Sequence, residues 1–291
     1  MLWLYLAILA YFLNAVAFVV DKYLLTSSLP RTFVYTFWVA VLSSTIVFLI
    51  PFGITWFGLS YFLISLVSGI GFFLALIFFY KSVKLSEISV ASAKTGAFTG
   101  IFSFVFSILI LRETLSLNVL FAFFLLTLGI FFLSRVKKEK LKYSVVAGLF
   151  FGISFVLLKW TFNVSDFING VFWTRVGFII GALVSLFIAS ARKEIIAGTK
   201  GSKPISRVIF IVNKFIVGVG FLILYYSIRL GDVAIVNALL GFQFIFILFL
   251  VWVLRNKIPN LGENFQRTAL VNKILGVVSI FVGFVILFYF N

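Results

Sequence analysis

The chain has 291 residues, 63% hydrophobic and 11% charged, with a mean hydropathy of +1.24; a soluble globular domain does not reach such values, and the composition is that of an integral membrane protein. It holds no cysteine and no histidine. Disulfide and thiolate chemistry are therefore absent, the usual metal ligand and near-neutral proton shuttle are missing, and neither a metal nor another cofactor is expected. The net charge of +16 would suggest nucleic acid in a soluble protein, but in a membrane protein its distribution over the connections carries the information.

A spanning helix needs roughly 20 apolar residues. Cutting the chain at its Pro, Gly, Asn and charge clusters leaves ten such segments, near 2–20, 31–50, 59–81, 87–111, 116–134, 142–161, 167–190, 207–228, 232–254 and 270–290. The first lacks the basic start of a signal peptide and reads as a retained spanning helix. Trp38 lies in the second segment, while Gly69 and Gly71 in the third, with Gly218 and Gly220 in the eighth, suit close helix contact or bending. Glu87, Asp166 and Asp232 stand at the starts of the fourth, seventh and ninth segments, where an acid favours the helix dipole. The longest polar connections, Arg192 to Arg207 and Arg255 to Lys273, are too short for a soluble catalytic module.

The connections after segments one, three, five, seven and nine hold most of the Lys and Arg, including the run from Arg135 to Lys142, whereas the others hold only Arg112, Lys159 and Arg229. The positive-inside rule places the basic side in the cytoplasm and both termini outside, in a multi-pass protein of the cell membrane. The basic run reads as a topology signal touching anionic headgroups of the lipid bilayer, so no nucleic-acid partner is expected.

One stretch occurs twice. Residues 79–98 read FYKSVKLSEISVASAKTGAF and residues 224–243 read LYYSIRLGDVAIVNALLGFQ, matching Ser82, Lys84, Leu85, Glu87, Ala93 and Gly96 to Ser227, Arg229, Leu230, Asp232, Ala238 and Gly241. Ala15–Tyr23 likewise parallels Gly152–Trp160, pairing Phe18 with Phe155 and Lys22 with Lys159. The expected fold is thus all-α, ten transmembrane helices as two five-helix repeats over residues 1–136 and 141–291. Because five is odd, the second repeat enters the membrane from the opposite side, and inverted repeats around a shared site are the architecture of alternating access.

Phe79-Tyr80-Lys-Ser-Val-Lys-Leu-Ser-Glu-Ile-Ser-Val-Ala-Ser-Ala93, with Ser107-Ile-Leu-Ile-Leu-Arg-Glu-Thr-Leu-Ser116, resembles the EamA-type repeat of the drug/metabolite transporter superfamily. The resemblance covers essentially the whole chain, rests best on Arg112–Ser116, and implies a ten-helix secondary carrier of small solutes. Gly100 stands where that family often has proline, Arg112 replaces the glycine before the glutamate, and the second copy, Arg255-Asn-Lys-Ile-Pro259, has no glutamate. Members of the family more often have both termini in the cytoplasm, against the charge distribution here. Glu113, at the turn before the fifth segment, reads as a structural cap.

Function is sought in polar groups deep in the segments, where ionisable side chains are costly unless they face a cavity or a partner. Arg175 lies about 12 Å into the seventh segment, and Lys94 and Lys214 about 10 Å into the fourth and eighth, at ~1.5 Å per residue. No carboxylate is expected at that depth, and Asn14, Ser92, Thr95, Asn213, Asn237 and Gln243 supply neutral partners. Such a lining suits an anion, although Lys94 and Lys214 are also long enough to snorkel. Lys22 and Lys159, at opposite faces, read either as admission and release contacts for the same anionic group or as interfacial anchors. Trp38 lies close to the expected cavity. The candidate substrate-binding set is therefore Arg175, Lys94, Lys214, Asn14, Asn237, Gln243, Trp38, Lys22 and Lys159.

The expected activity is secondary transport of a small polar, preferentially anionic, metabolite, not enzymatic catalysis; proton coupling is disfavoured because no deep acid is expected. The alternatives are export of amino acids or other neutral metabolites and, in another class, a non-transporting scaffold or lipid-handling protein. Oligomeric state is not legible in the sequence.

Overall fold

Hydrocarbon leaves no unpaired backbone group unpenalised, so long apolar runs of this kind close their hydrogen bonds internally as helices. The computed structural model describes residues 2–29, 31–112, 117–133, 141–200 and 203–254, with 271–273, 275–276, 278–279, 282–283 and 286 near the C-terminus. Among these residues every regular element is helical. In chain order they are α1 (Leu2–Ser27), α2 (Thr32–Leu42, continued by a 3-10 turn Ser43–Phe52), α3 (Leu59–Leu85), α4 (Ile88–Phe106, continued by a π turn Ser107–Leu111), α5 (Leu117–Leu133), α6 (Leu141–Val164), α7 (Phe167–Val184), α8 (Ala189–Lys200), α9 (Pro204–Leu230), α10 (Val233–Ala238) and α11 (Leu240–Leu254).

Eight helical stretches among the described residues are long and apolar enough to cross a membrane: α1, α2 with its 3-10 turn, α3, α4 with its π turn, α6, α7 with the turn that follows it, α9, and α10 joined to α11. The molecule is thus a multi-pass, all-α membrane protein. Within α5 the apolar stretch is shorter, Leu120–Gly129. The tenth expected segment falls mostly outside the described residues, as do Glu113–Ser116, 135–140 and 255–259.

Three details depart from the sequence expectation. First, α1 runs to Ser27 rather than ending at 20, because Tyr23-Leu24-Leu25 keep the apolar pattern going beyond the charged pair Asp21-Lys22 and both leucines are fully buried. Second, the polar connection after α7 is not featureless: it forms α8, whose Gly198 packs against Val34 and Arg31. Third, the ninth segment breaks at Leu239 into α10 and α11.

The two halves of the chain interlock. α1 packs along α9 and α11, α3 along α6 and α7, and α4 along α6, α10 and α11. At the centre Phe72 meets Phe151, Phe178 and Phe221 with ring centroids 5.2–5.4 Å apart, the edge-to-face arrangement that aromatic quadrupoles favour.

Candidate functional site

A small cavity of about 40 Å³ lies between the halves. α1 contributes Tyr11 and Asn14, α4 contributes Ser92, Thr95 and Thr99, and α11 contributes Gln243. The spacing 92-95-99 puts the three hydroxyl residues on one helix face. Rings of Phe18, Phe79, Phe151, Phe155 and Phe221 complete the wall. Asn14 Oδ1, Ser92 Oγ, Thr95 Oγ1 and Gln243 Nε2 are buried there without a hydrogen-bond partner among the described residues. Leaving such groups unsatisfied costs about 1–3 kcal/mol each, and a space of about 40 Å³ is of the size that water fills. Among the described residues the wall carries no formal charge. Asn237 stands apart from this lining: its Nδ2 donates to Ser103 Oγ at 2.8 Å.

Two helix pairs flank the cavity, one closed and one open. On the closed side α7 lies on α3 in backbone contact: a Cβ at Gly69 would overlap Thr174 O and Phe178 N, and one at Gly177 would come 2.7 Å from Leu66 O. Thr55 N donates to Asn169 Oδ1 at 2.9 Å and Trp173 Nε1 to Thr55 O at 3.0 Å, seating the 53–58 loop over α7. Trp56, Phe62 and Trp173 cluster across that end with ring centroids 5.4–5.6 Å apart, Trp173 meeting the other two edge-to-face. Asp166 caps α7 there; partial burial opposes its ionisation, but hydrogen bonds from Asn169, through both its backbone N–H and its side chain, hold its carboxyl below the usual range. Glu87 and Asp232 occupy the N-cap positions of α4 and α10 without a side-chain cap bond.

On the open side α2 stands off from α9 and a cavity of about 490 Å³ fills the gap. Arg31, Tyr35, Trp38, Thr199, Arg207 and Phe210 are among its lining residues. α8 bounds it, tied to α2 where Trp38 Nε1 donates to Thr199 Oγ1 at 3.0 Å.

The buried cations separate into distinct roles. Lys214 does not snorkel: its Nζ sits 2.6 Å and 2.8 Å from the two carboxylate oxygens of Asp21 and against the rings of Tyr35, Tyr80 and Phe210. Asp21 is fully buried and also accepts from Tyr35 OH at 2.6 Å and Asn213 Nδ2 at 2.5 Å. The expectation that no carboxylate lies deep is therefore wrong, and the cause is the boundary of α1: ending that helix at residue 20 put Asp21 in a loop. The signal was present in the leucines that follow it.

Lys22 donates to Val83 O and Ser86 O at the end of α3, at 2.8 and 2.7 Å. Lys159 donates to Ile228 O, Arg229 O and Gly231 O at the end of α9, at 2.9–3.0 Å. Both act as helix closures and not as lining of either cavity. Arg175 reaches from α7 into the rings of Phe72, Phe178, Phe221 and Tyr225, 5.1–6.0 Å away; among the described residues no carboxylate pairs with it. Lys94 is buried on α4 but is not part of the central cavity wall. The sequence set thus divides: Asn14 and Gln243 meet in the central cavity, Trp38 lines the open one, Lys214 lies behind its Tyr35 wall, and Arg175 sits on the closed side.

No protein-family model and no curated protein matches this chain. A solved crystal structure of a protein whose function its description does not state is similar in fold, with a TM-score of 0.63, covering 96% of this chain and 98% of that one at 14% identity. At that identity the likeness shows the fold alone: 96% of this chain follows an architecture that another protein also adopts.

Proposed function

We propose that the protein is a secondary transporter of the drug/metabolite type, moving a small polar solute by alternating access between two inverted five-helix repeats. The observation that carries this reading is the central cavity, built from both halves, lined with unpartnered polar atoms, and flanked by one closed and one open helix pair. The repeat alignment supports it in three dimensions. Ser68 Oγ donates to Ser154 O at 2.8 Å, and at the aligned positions Asn213 Nδ2 donates to Ala17 O at 3.1 Å. In an inverted repeat, exchanging the conformations of the halves closes the α2/α9 gap and opens the α3/α7 seam. The basic residues at the open mouth, Arg31 and Arg207, support a cytoplasmic orientation for it by the positive-inside rule.

An anionic solute is favoured by Arg175, with which no described carboxylate pairs, and by the arginines of the open mouth, whereas Lys214 is neutralised by Asp21. A neutral or zwitterionic solute is the second reading, favoured by the uncharged wall of the central cavity itself. The test is thermal stability of the purified protein against phosphorylated and carboxylated metabolites, neutral amino acids and lipophilic cations, since a ligand specific for the folded state raises apparent stability by mass action. Anion stabilisation lost in Arg175→Ala supports the first reading; stabilisation by neutral solutes, lost in Gln243→Leu but kept in Arg175→Ala, supports the second. Silence of the whole panel, followed by absence of flux in liposomes, overturns transport and leaves the scaffold or lipid-handling alternative.

A further inference from the structure

The central cavity, at about 40 Å³, has room for water, whereas the open one, at about 490 Å³, falls in the range that organic ligands occupy. α2 lines the open cavity with Arg31, Val34, Tyr35, Trp38 and Leu42, a spacing that keeps all five on one helix face. At ~1.5 Å per residue that face runs about 16 Å from a charged end to an apolar one. Arg31 is the N-cap residue of α2 and Arg207 lies in the first turn of α9, so both guanidiniums stand at the starts of spanning helices, the level of lipid headgroups. α8 bridges them: Arg31 Nη1 donates to Glu194 O and Arg207 Nη2 to Thr199 O, both at 3.2 Å. Among the described residues no carboxylate pairs with Arg31. Two hydroxyls of the wall are already committed, Tyr35 OH to Asp21, and Thr199 Oγ1 between Trp38 Nε1 and Ile195 O. On α9 the lining residue Ile211 is itself exposed and continues into exposed Val208, Val212 and Phe215. The cavity therefore borders on the lipid-facing surface of that helix.

We propose that this cavity holds an anionic amphiphile drawn from the bilayer, its phosphate or carboxylate head at Arg31 and Arg207 and its acyl chain along the α2 face toward Leu42. Guanidinium groups take such heads through charge-assisted, bidentate hydrogen bonds. The chain lies against Val34, Trp38 and Phe210, and the apolar border at Ile211 lets it enter sideways without crossing water. A chain leaving the bilayer gains little hydrophobic energy, because lipid tails are as apolar as the wall. The charge of the head therefore decides which lipid stays. A polyhydroxylated sugar phosphate satisfies the arginines but leaves its hydroxyls unpaired against apolar side chains, which is costly. A lipophilic cation is repelled at the head position. The site binds whether or not its occupant is then carried across the membrane, so the inference stands apart from the transport reading.

The test titrates the purified protein in neutral detergent with lysophosphatidylglycerol and, carrying the same acyl chain, lysophosphatidylcholine, and counts retained molecules by native mass spectrometry. The parent is expected to retain the anionic lipid at least about tenfold more tightly than the zwitterionic one. Arg31→Gln should bring the two affinities together. Ala197→Trp, which introduces an indole into the cavity from an exposed position on α8, should remove the retained lipid while leaving the arginines in place. Equal retention of both lipids by the parent, selectivity unaltered in Arg31→Gln, or retention unaltered in Ala197→Trp overturns the proposal. Should Arg31→Gln not fold, Ala197→Trp decides, and it also separates this site from lipid held by basic residues elsewhere on the surface. Retention of naphthoate in place of either lipid overturns it as well, by putting a water-soluble acid in the cavity. No gradient is applied, so a failure here leaves the transport reading to its own flux test, and a failure of flux leaves the lipid site standing.

Discussion

Lys22 and Lys159 stand at aligned points of α1 and α6, and each points its ammonium at the carbonyls that end another helix, α3 for Lys22 and α9 for Lys159. A helix end leaves carbonyls without intrahelical donors, and in the interior of a membrane protein few waters are available to replace them. Hydrogen bonds from a charged donor contribute about 1.5–3 kcal/mol each. Lys22→Met and Lys159→Met should each lower the unfolding temperature in detergent clearly and by similar amounts, while Lys142→Met, an exposed position, should leave it nearly unchanged. Unequal losses from the two closures would break the equivalence.

Arg112 terminates the π turn after α4 with φ 57°, the sole non-glycine residue with positive φ among the described residues. The left-handed region costs an L-residue roughly 1–2 kcal/mol relative to glycine. Arg112→Gly is expected to raise stability by about 0.5–1 kcal/mol, read as an increased midpoint of thermal or denaturant unfolding.

The α3/α7 seam depends on the absence of a side chain at two points. Gly177→Val drives a branched group into the backbone at Leu66, and overpacking of this kind costs about 1–3 kcal/mol. Hydrogen exchange of α3 and α7 amides should accelerate in that variant. Gly218 is the internal control, since a Cβ there meets nothing within 4 Å; Gly218→Ala should be neutral or stabilising by up to about 1 kcal/mol.

Asp166 gives a pH signature outside the membrane. Its folded-state carboxyl ionises more readily than the ordinary value of 3.8, so its contribution is fully present above that value and is lost as pH falls through the lower folded one. Below about pH 4 the parent should lose stability more steeply than Asp166→Asn. At neutral pH, Asp166→Ala should cost about 1 kcal/mol through loss of the cap. Parallel acid profiles for the parent and Asp166→Asn would deny the carboxylate this role.

Membrane class and the first four spans were legible because apolar runs of spanning length are local signals. The pairing of Phe18 with Phe155 and of Lys22 with Lys159 was legible in the duplicated text, but what the lysines touch was not: carbonyls at the far ends of α3 and α9 are long-range partners that no spacing encodes. Asp21 was lost to a helix boundary, the least determined quantity in a sequence, and with it went the partner that keeps Lys214 buried. α8 escaped notice because its mixed polar composition reads as connection; only its seat against Val34 and Trp38 makes it part of the cavity wall.

The lysine closures bear on where the molecule can bend. Tying α1 to the foot of α3 and α6 to the foot of α9 makes each pair a stiff frame, so in the proposed alternating access α2 and α7 are the helices left to move. Each of those two helices ends in a tightened 3-10 turn, Ser43–Phe52 after α2 and Ser185–Phe187 after α7, a winding with poorer hydrogen-bond geometry that yields first. In the proposed transport cycle these two terminal windings are where such movement is expected to bend.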